Sequence, residues 1–348
     1  MAAGLRKQPF SRFTESILTL TYVDEINVAI RERIAHQVNL ACFGQNIVTG
    51  SCLSGLTRGL AVPEGSLAFN TPNTENSLVG MGFGAALRGS NAIYFMKQLD
   101  FLLLGMDQLV NTWNVVRLRE PQGSFTIFAI VVDSGYEGPQ SCLNDLGGIA
   151  SLAHIPTYAI SFPSLAEAIL KRHLIAPGCR ILAVSQRMFR QEFSVASETP
   201  IPLDAECQQF RFGKGEGATL VSLNFSAPQT FELRDKLRER GLDSSLFVVA
   251  GAIENSWEEI LKHGRRSGKL VIVDDGKGDN RGSDGLMVEA LRCGIETIEF
   301  RRQFHPRGLT PNSDAFVLPE TAVDDVVNGQ PGRSLRGNSI VQFETSAK

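Results

Sequence analysis

No stretch of this sequence stays apolar for the roughly 18 residues that a membrane span requires, so a bilayer-crossing helix is not expected. The opening MAAGLRKQPFSRF has basic residues but no apolar run behind them, and it does not read as a secretory signal. The six cysteines (Cys42, Cys52, Cys142, Cys179, Cys207 and Cys293) are scattered without C-x-x-C spacing. That pattern speaks against a structural zinc site and for a reducing, cytoplasmic setting. Charge of one sign is also missing: 34 Lys and Arg stand against 37 Asp and Glu, for a formal net charge of -3. A nucleic-acid footprint needs a clustered basic surface, and the short pairs Arg265-Arg266 and Arg301-Arg302 read as solvated faces. Ser134-Gly135 has no G-x-S-x-G frame, and Cys142 has no histidine in its own motif, so hydrolase chemistry has no foothold. No internal repeat is present.

What is present is a long alternation of strand and helix patterns, in a chain long enough for two domains of ordinary size. The stretch that organises it runs from Asn70 to Arg117. It opens with a loop ending in an acid, Thr71-Pro72-Asn73-Thr74-Glu75, and continues as a helix of mostly small apolar residues. A short apolar strand, Ala92 to Met96, follows. Asp100-Phe101 then heads a second apolar helix carrying Asp107 and Gln108. Loop-acid, helix, strand, aromatic, helix is the layout of a site built at the strand ends of an α/β sheet.

Before this stretch, Ile26, Ala29, Ile30 and Ile34 mark a helix, and Val38 to Phe43 a buried strand ending in Gly44-Gln45-Asn46. After it, Phe125 to Val132 is continuously apolar and rich in β-branched residues, which suits a strand covered on both faces. A turn-rich segment from Asp133 follows, then a helix to Ala153, His154-Ile155-Pro156, and a strand from Thr157 to Ser161. Ser164 to His173 reads as a helix with Ser164 as N-cap and Glu167 as its capping-box partner. Periodicity fades between about Glu192 and Gly217. The expected boundaries are therefore a first domain over 1–195, a linker over 196–217, a second α/β domain over 218–328 and a loose tail over 329–348. The second domain is expected to hold strands Thr219 to Leu223, Ser245 to Val249, Leu270 to Val273 and Thr297 to Phe300. Between them come helices from Thr230 to Arg240, from Ser256 (N-cap, boxed by Glu259) to Gly264, and from Ser283 to Cys293. This alternation argues for a mostly parallel sheet with right-handed crossovers.

The order of residues in the organising stretch resembles the pyrimidine-binding domain of thiamine-diphosphate enzymes, above all the β-subunits of 2-oxo acid dehydrogenases and the C-terminal part of transketolases. The T-P-x-x-E motif of that family reads Thr71-Pro72-Asn73-Thr74-Glu75 here. The small-residue helix reads Gly80-Met81-Gly82-Phe83-Gly84-Ala85-Ala86. Phe101 stands six residues before Asp107-Gln108, as an aromatic stands before a D-Q pair in the family. LTYVDEINVAIRERIA is similar to the opening helix of the dehydrogenase β-subunits, and Thr57-Arg58-Gly59-Leu60 matches their T-x-G-L turn. The second half is similar to the transketolase C-terminal domain, which in the family mostly builds subunit contacts. The resemblance implies an α/β fold with a pyrimidine-binding domain and a smaller transketolase C-terminal-like domain.

For the site, the resemblance implies that Glu75 is the carboxylate that activates thiamine diphosphate and that Phe101 stacks on its aminopyrimidine ring. Read from the residues alone, an acid at a helix start is ordinary, and a phenylalanine in an apolar helix is commonly a core residue. Asp107 and Gln108 read as helix packing. Three departures matter. The family's G-D-G motif for magnesium and diphosphate is absent, and Gly278-Asp279-Asn280 reads as a turn. An α-type partner chain is therefore expected to hold Mg2+ and the diphosphate, in a heterotetramer. The histidine expected after the G-x-Q turn is replaced by Ser141-Cys142, and His154 downstream reads as structural. The family's acidic G-E-D triplet is Gly44-Gln45-Asn46, with both acids exchanged for amides.

The function expected is that of a β-type subunit of a two-component enzyme carrying out transketolase-like transfer of a two-carbon ketol or acyl unit. The alternatives are a 2-oxo acid dehydrogenase β-subunit and a non-catalytic structural subunit with this fold.

Overall fold

The computed structural model describes residues 20–133, 143–193, 198–277, 282–301, 316–329 and 338–342. Two sheets organise these residues. The first contains β1 (Leu40–Gly44), β2 (Leu67–Asn70), β3 (Asn91–Met96), β4 (Ser124–Val131), β5 (Thr157–Ala159) and β6 (Gly178–Ser185). Its order is β2-β1-β3-β4-β6-β5 and every pairing is parallel. The helices of this half are α1 (Tyr22–Ile34), α2 (Glu75–Leu87), α3 (Trp113–Val116), α4 (Leu146–Ala153) and α5 (Ala166–His173). β4 is buried along its whole length, as its unbroken apolar pattern requires.

The second sheet holds β7 (Ile201–Pro202), β8 (Gln209–Glu216), β9 (Thr219–Leu223), β10 (Ser244–Val249), β11 (Lys269–Asp274), β12 (Glu296–Arg301) and β13 (Asn338–Gln342). The order is β13-β12-β11-β9-β10-β8-β7, with β8 antiparallel to both of its neighbours and the rest parallel. Its helices are α6 (Ala227–Glu239), α7 (Glu258–Ser267), α8 (Gly282–Arg292) and α9 (Ala322–Asn328). The architecture is α/β in both halves.

Several expectations are corrected. The stretch 196–217, expected as a linker, supplies β7 and β8. Phe210 and Phe212 point inward on either side of Arg211, a period-two pattern hidden by the surrounding prolines and glycines. Asp204 ties the turn between them by accepting from the amides of Gln208 and Gln209, both at 3.0 Å. The tail, expected to be loose from Gly329, returns at β13 to extend β12.

Neither proposed capping box forms. Pro163 starts a 3-10 turn that hands over to α5 at Ala166, and Ser164 Oγ is buried without a hydrogen-bond partner among the described residues. In α7 the N-cap is Trp257, one residue beyond Ser256, and no side chain caps it. That helix also runs through Gly264 to a left-handed stop at Gly268. The apolar helix expected from Asp100 onward is broken into a 3-10 segment (Leu99–Gly105), a π turn (Gln108–Thr112) and α3.

The two sheets meet through backbone and ion pairs. Ala159 N donates to Ala250 O, and Ala252 N to Thr157 O, both at 2.8 Å. Beside this seam, Arg187 reaches Asp133 at 3.5 Å and Asp275 at 2.5 Å, and both carboxylates are fully buried. Ser185 Oγ donates to Asp133 at 2.6 Å, Phe225 N donates to Asp275 at 2.8 Å, and Arg187 also donates to Phe225 O at 2.7 Å. Burial works to lower the Arg187 pKa, but Asp275 and Asp133 outweigh it and raise it. Asp133, counted with the turn-rich loop in the sequence, thus belongs to this clasp.

Candidate active site

In the first sheet β1 is flanked by β2 on one side and β3 on the other, so the strand order reverses around β1. Ligands of open α/β sheets bind beyond the carboxyl ends of the strands at such a point. Three chain segments converge there: the loop after β1, the loop Thr71–Thr74 after β2, and the 3-10 segment after β3.

The approach of β1 to β3 is set by Gly44, where any Cβ would fall 2.1 Å from the Phe95 carbonyl oxygen. Thr71 N donates to Gly44 O at 3.0 Å. Asn70 then locks the loop after β1, its Oδ1 accepting from Ile47 N at 2.7 Å and Val48 N at 3.0 Å. Its amide nitrogen donates to Thr49 Oγ1 at 2.7 Å. The amides at Gln45 and Asn46 therefore sit in a loop held by a third amide, Asn70, whose role the sequence pattern does not announce.

Glu75 is the first residue of α2, follows Thr74 directly, and is 6% exposed. Among the described residues its carboxylate has no hydrogen-bond or ion-pair partner. The positive end of the helix dipole favours a negative group there. Beneath it lies a row of rings on one face of the sheet: Phe69, Phe43 and Tyr94 occupy register-paired positions of β2, β1 and β3. Phe43 stacks on Tyr94 at 5.4 Å and on Phe69 at 6.1 Å. This is the face that α2 covers, because Tyr94 shares it with Phe125, and Phe125 packs edge-on against Phe83 of α2. Burial raises the Tyr94 pKa and the neighbouring Glu75 raises it further, so the phenol keeps its proton. Tyr94 was not singled out in the sequence, where it reads only as one more apolar strand residue.

Phe101 lies in the 3-10 segment packed on the first turns of α2. Gly105 permits that packing: a Cβ there would come within 2.8 Å of Val79 Cγ2 and 3.6 Å of the Glu75 carbonyl oxygen. The structure thus brings the elements carrying Glu75 and Phe101 together. The Phe101 ring is half-buried and has no aromatic partner among the described residues. Its neighbour Asp100 accepts from Leu143 N at 2.8 Å, anchoring the end of the loop after β4 to this segment.

Asp107 and Gln108 serve their own helix, as expected, accepting from Asn111 Nδ2 at 2.8 Å and Thr112 Oγ1 at 2.5 Å. His154 is exposed and closes α4 in the left-handed conformation. Residues 134–142, with the Ser141-Cys142 position, and the Gly278-Asp279-Asn280 string lie outside the described residues. Among the described residues no group of three or more His, Cys, Asp or Glu side chains is arranged to hold a metal ion. Nor is any helix among the described residues long and apolar enough to cross a membrane.

The fold is transketolase-like, and in sequence the chain is similar to β-type subunits of 2-oxo acid dehydrogenases. No family model matches the chain. Among curated proteins it is 22% identical over 270 residues to the pyruvate dehydrogenase E1 component subunit beta of Rhizobium meliloti (strain 1021). That alignment covers 74% of this chain and 57% of the relative's length. It is 21% identical over 268 residues to the 2-oxoisovalerate dehydrogenase subunit beta of Bacillus subtilis (strain 168), covering 74% of this chain and 79% of the relative. Among solved structures it superposes on a split-gene transketolase, an inactive beta4 tetramer, with a TM-score of 0.65 at 14% identity. That match covers 89% of this chain and 93% of the other.

Proposed function

We propose that this chain is the pyrimidine-binding, β-type subunit of a two-component thiamine-diphosphate enzyme. It performs transketolase-like transfer of a two-carbon ketol or acyl unit together with an α-type chain. The observation that carries this reading is Glu75, a buried carboxylate without a protein partner among the described residues, at the start of α2 and at the reversal of strand order. A chain with a purely structural role has no physical reason to keep such a group, since a buried unpaired carboxylate is costly.

The residues fit the cofactor. Glu75 would accept a charge-assisted hydrogen bond from a ring nitrogen of the pyrimidine and hold the proton there. The free face of Phe101 would take the ring by offset stacking. Phe43 and Tyr94, both buried, form an aromatic floor on the sheet side of the carboxylate, with Phe69 exposed at its edge. When bound, thiamine diphosphate supplies a nucleophilic carbon and an electron sink for cleaving bonds next to a carbonyl. Without a G-D-G motif, this chain leaves Mg2+ and the diphosphate to the α-type partner, in a heterotetramer. The inactive beta4 assembly of the split-gene transketolase supports the need for a second chain. The five described cysteines are free thiols, in keeping with a cytoplasmic enzyme.

The names of the curated relatives favour a second reading, a 2-oxo acid dehydrogenase β-subunit. The Ser141-Cys142 pair where that family carries a histidine weighs against it.

The test is hydrogen–deuterium exchange at the reactive thiazolium carbon of cofactor bound to the co-purified two-chain complex. Glu75→Gln keeps the shape and removes the charge, and exchange is expected to slow by about 10²–10⁴-fold. Bound cofactor that exchanges at the same rate in both proteins would refute the role of Glu75. A stable complex that binds no cofactor would favour the structural-subunit reading.

A further inference from the structure

At the opposite end of the first sheet, where β4 and β6 begin, lies a second concavity that the reaction above does not use. Arg180, the third residue of β6, is 5% exposed. Its guanidinium donates to His173 O at 3.2 Å, to Thr126 Oγ1 at 3.4 Å and to Pro177 O at 2.5 Å. All these acceptors are neutral, and among the described residues no carboxylate lies within ion-pair distance. Burial lowers its pKa only to about 10, so the group is a cation at neutral pH.

The nearest acid is already engaged: Glu206 pairs with Arg172 at 2.5 Å. His173 adds no charge, since burial first and the two arginines after it hold its pKa down to about 4. These groups line a cavity of about 370 Å³ together with Tyr158 and Trp113, which is in the size range of small-molecule sites. Tyr158 stacks on His173 at 3.9 Å between ring centres. Trp113 is 8% exposed, and its indole nitrogen is buried without a hydrogen-bond partner among the described residues.

Two arginines against one committed glutamate leave a net positive charge. The flanking prolines and rings make the rest of the wall apolar. A planar guanidinium presents paired N–H donors that match the two oxygens of a carboxylate, and one negative charge balances the one uncompensated positive charge. We propose that this cavity is a binding site for a small carboxylate with a flat apolar body, its acid group neutralising Arg180 and its body lying against the Trp113 and Tyr158 wall. The site is separate from Glu75, yet Trp113 stacks at 5.8 Å and 13° on Phe83 of α2, the helix that Glu75 begins. A ligand here would therefore press on the element that carries the catalytic acid.

The chain has two tryptophans, so Trp257→Phe leaves Trp113 as the only indole. In that full-length background, Trp113 fluorescence is followed during titration with benzoate and, separately, with inorganic phosphate. Benzoate is expected to give a saturable change, with affinity at least about tenfold weaker in Arg180→Met and several-fold weaker in Arg172→Met. Arg172 is half-exposed, so its variant carries the test if Arg180→Met does not fold. No saturable change with benzoate overturns the site, and so does benzoate affinity unchanged in a folded arginine variant. Phosphate binding as tightly as benzoate overturns the assignment of the ligand's class. None of these readouts involves thiamine diphosphate, so the outcome is independent of the function proposed above.

Discussion

His173 is stacked face to face with Tyr158 and donates a ring N–H to the Glu206 carbonyl, so it is folded into the protein as a neutral imidazole. Its pKa near 4 lies below the value of about 6.5 that it regains in the unfolded chain. Between those two values the unfolded state binds more protons. Stability from this residue is therefore fully present above about pH 6.5 and is lost as pH falls towards 4. His263 is shifted in the same direction, mainly by burial, so the informative quantity is a difference. Urea midpoints measured across this window are expected to fall less steeply for His173→Gln than for the wild type, and parallel slopes would rule out the assignment. The same scale shows what a single residue can announce. Glu75 stood out in the sequence because a motif surrounds it. Tyr94 and Asn70 did not, since burial under α2 and a side chain turned back on a preceding loop depend on register. Arg180 was silent for the same reason: an isolated arginine reads as solvated until three chain segments close around it.

Helix α2 illustrates how an element can be recognised while its tolerances stay hidden. Its run of small residues was plain in the sequence, but only contacts separate one glycine from the next. A Cβ at Gly82 would sit 2.1 Å from Phe125 Cε2, and Phe125 is fully buried and cannot swing away. At Gly84 nothing lies within 4 Å. Gly82→Ala is expected to destabilise by about 1–3 kcal/mol despite the better helix propensity of alanine, whereas Gly84→Ala should stabilise by up to about 1 kcal/mol. Urea unfolding of both variants measures the contrast. Elsewhere, continuous apolar strands such as β4 were plain from composition. The segment after β3 was not, because its apolar period suits one helix while Gly105 must press against Val79. The backbone answers by passing through 3-10 and π turns. β8 was missed because glycine and lysine dilute an alternation that only its phenylalanines carry.

At the scale of the whole molecule, strand–helix alternation was enough to indicate two α/β halves, while the joint between them left no local pattern. Asp133, Arg187 and Asp275 are far apart in sequence and meet only after both sheets have formed. Arg187→Met would leave two buried carboxylates without a counter-ion, with an expected loss of about 3–5 kcal/mol in denaturant titrations. Combining it with Asp275→Asn should cost less than the two single losses added, since the neutral amide no longer needs the missing cation. A loss no larger than that of an exposed pair would show that the clasp is not desolvated as the structure has it.

The clasp also constrains descent. The two carboxylates are tolerable only in the company of Arg187, so a lineage that loses the arginine first must pass through an intermediate with stranded charge at its centre. Such a joint is inherited as a unit or abandoned as a unit. The relative placement of the two halves can then stay fixed over divergence that rewrites most of the surface around them.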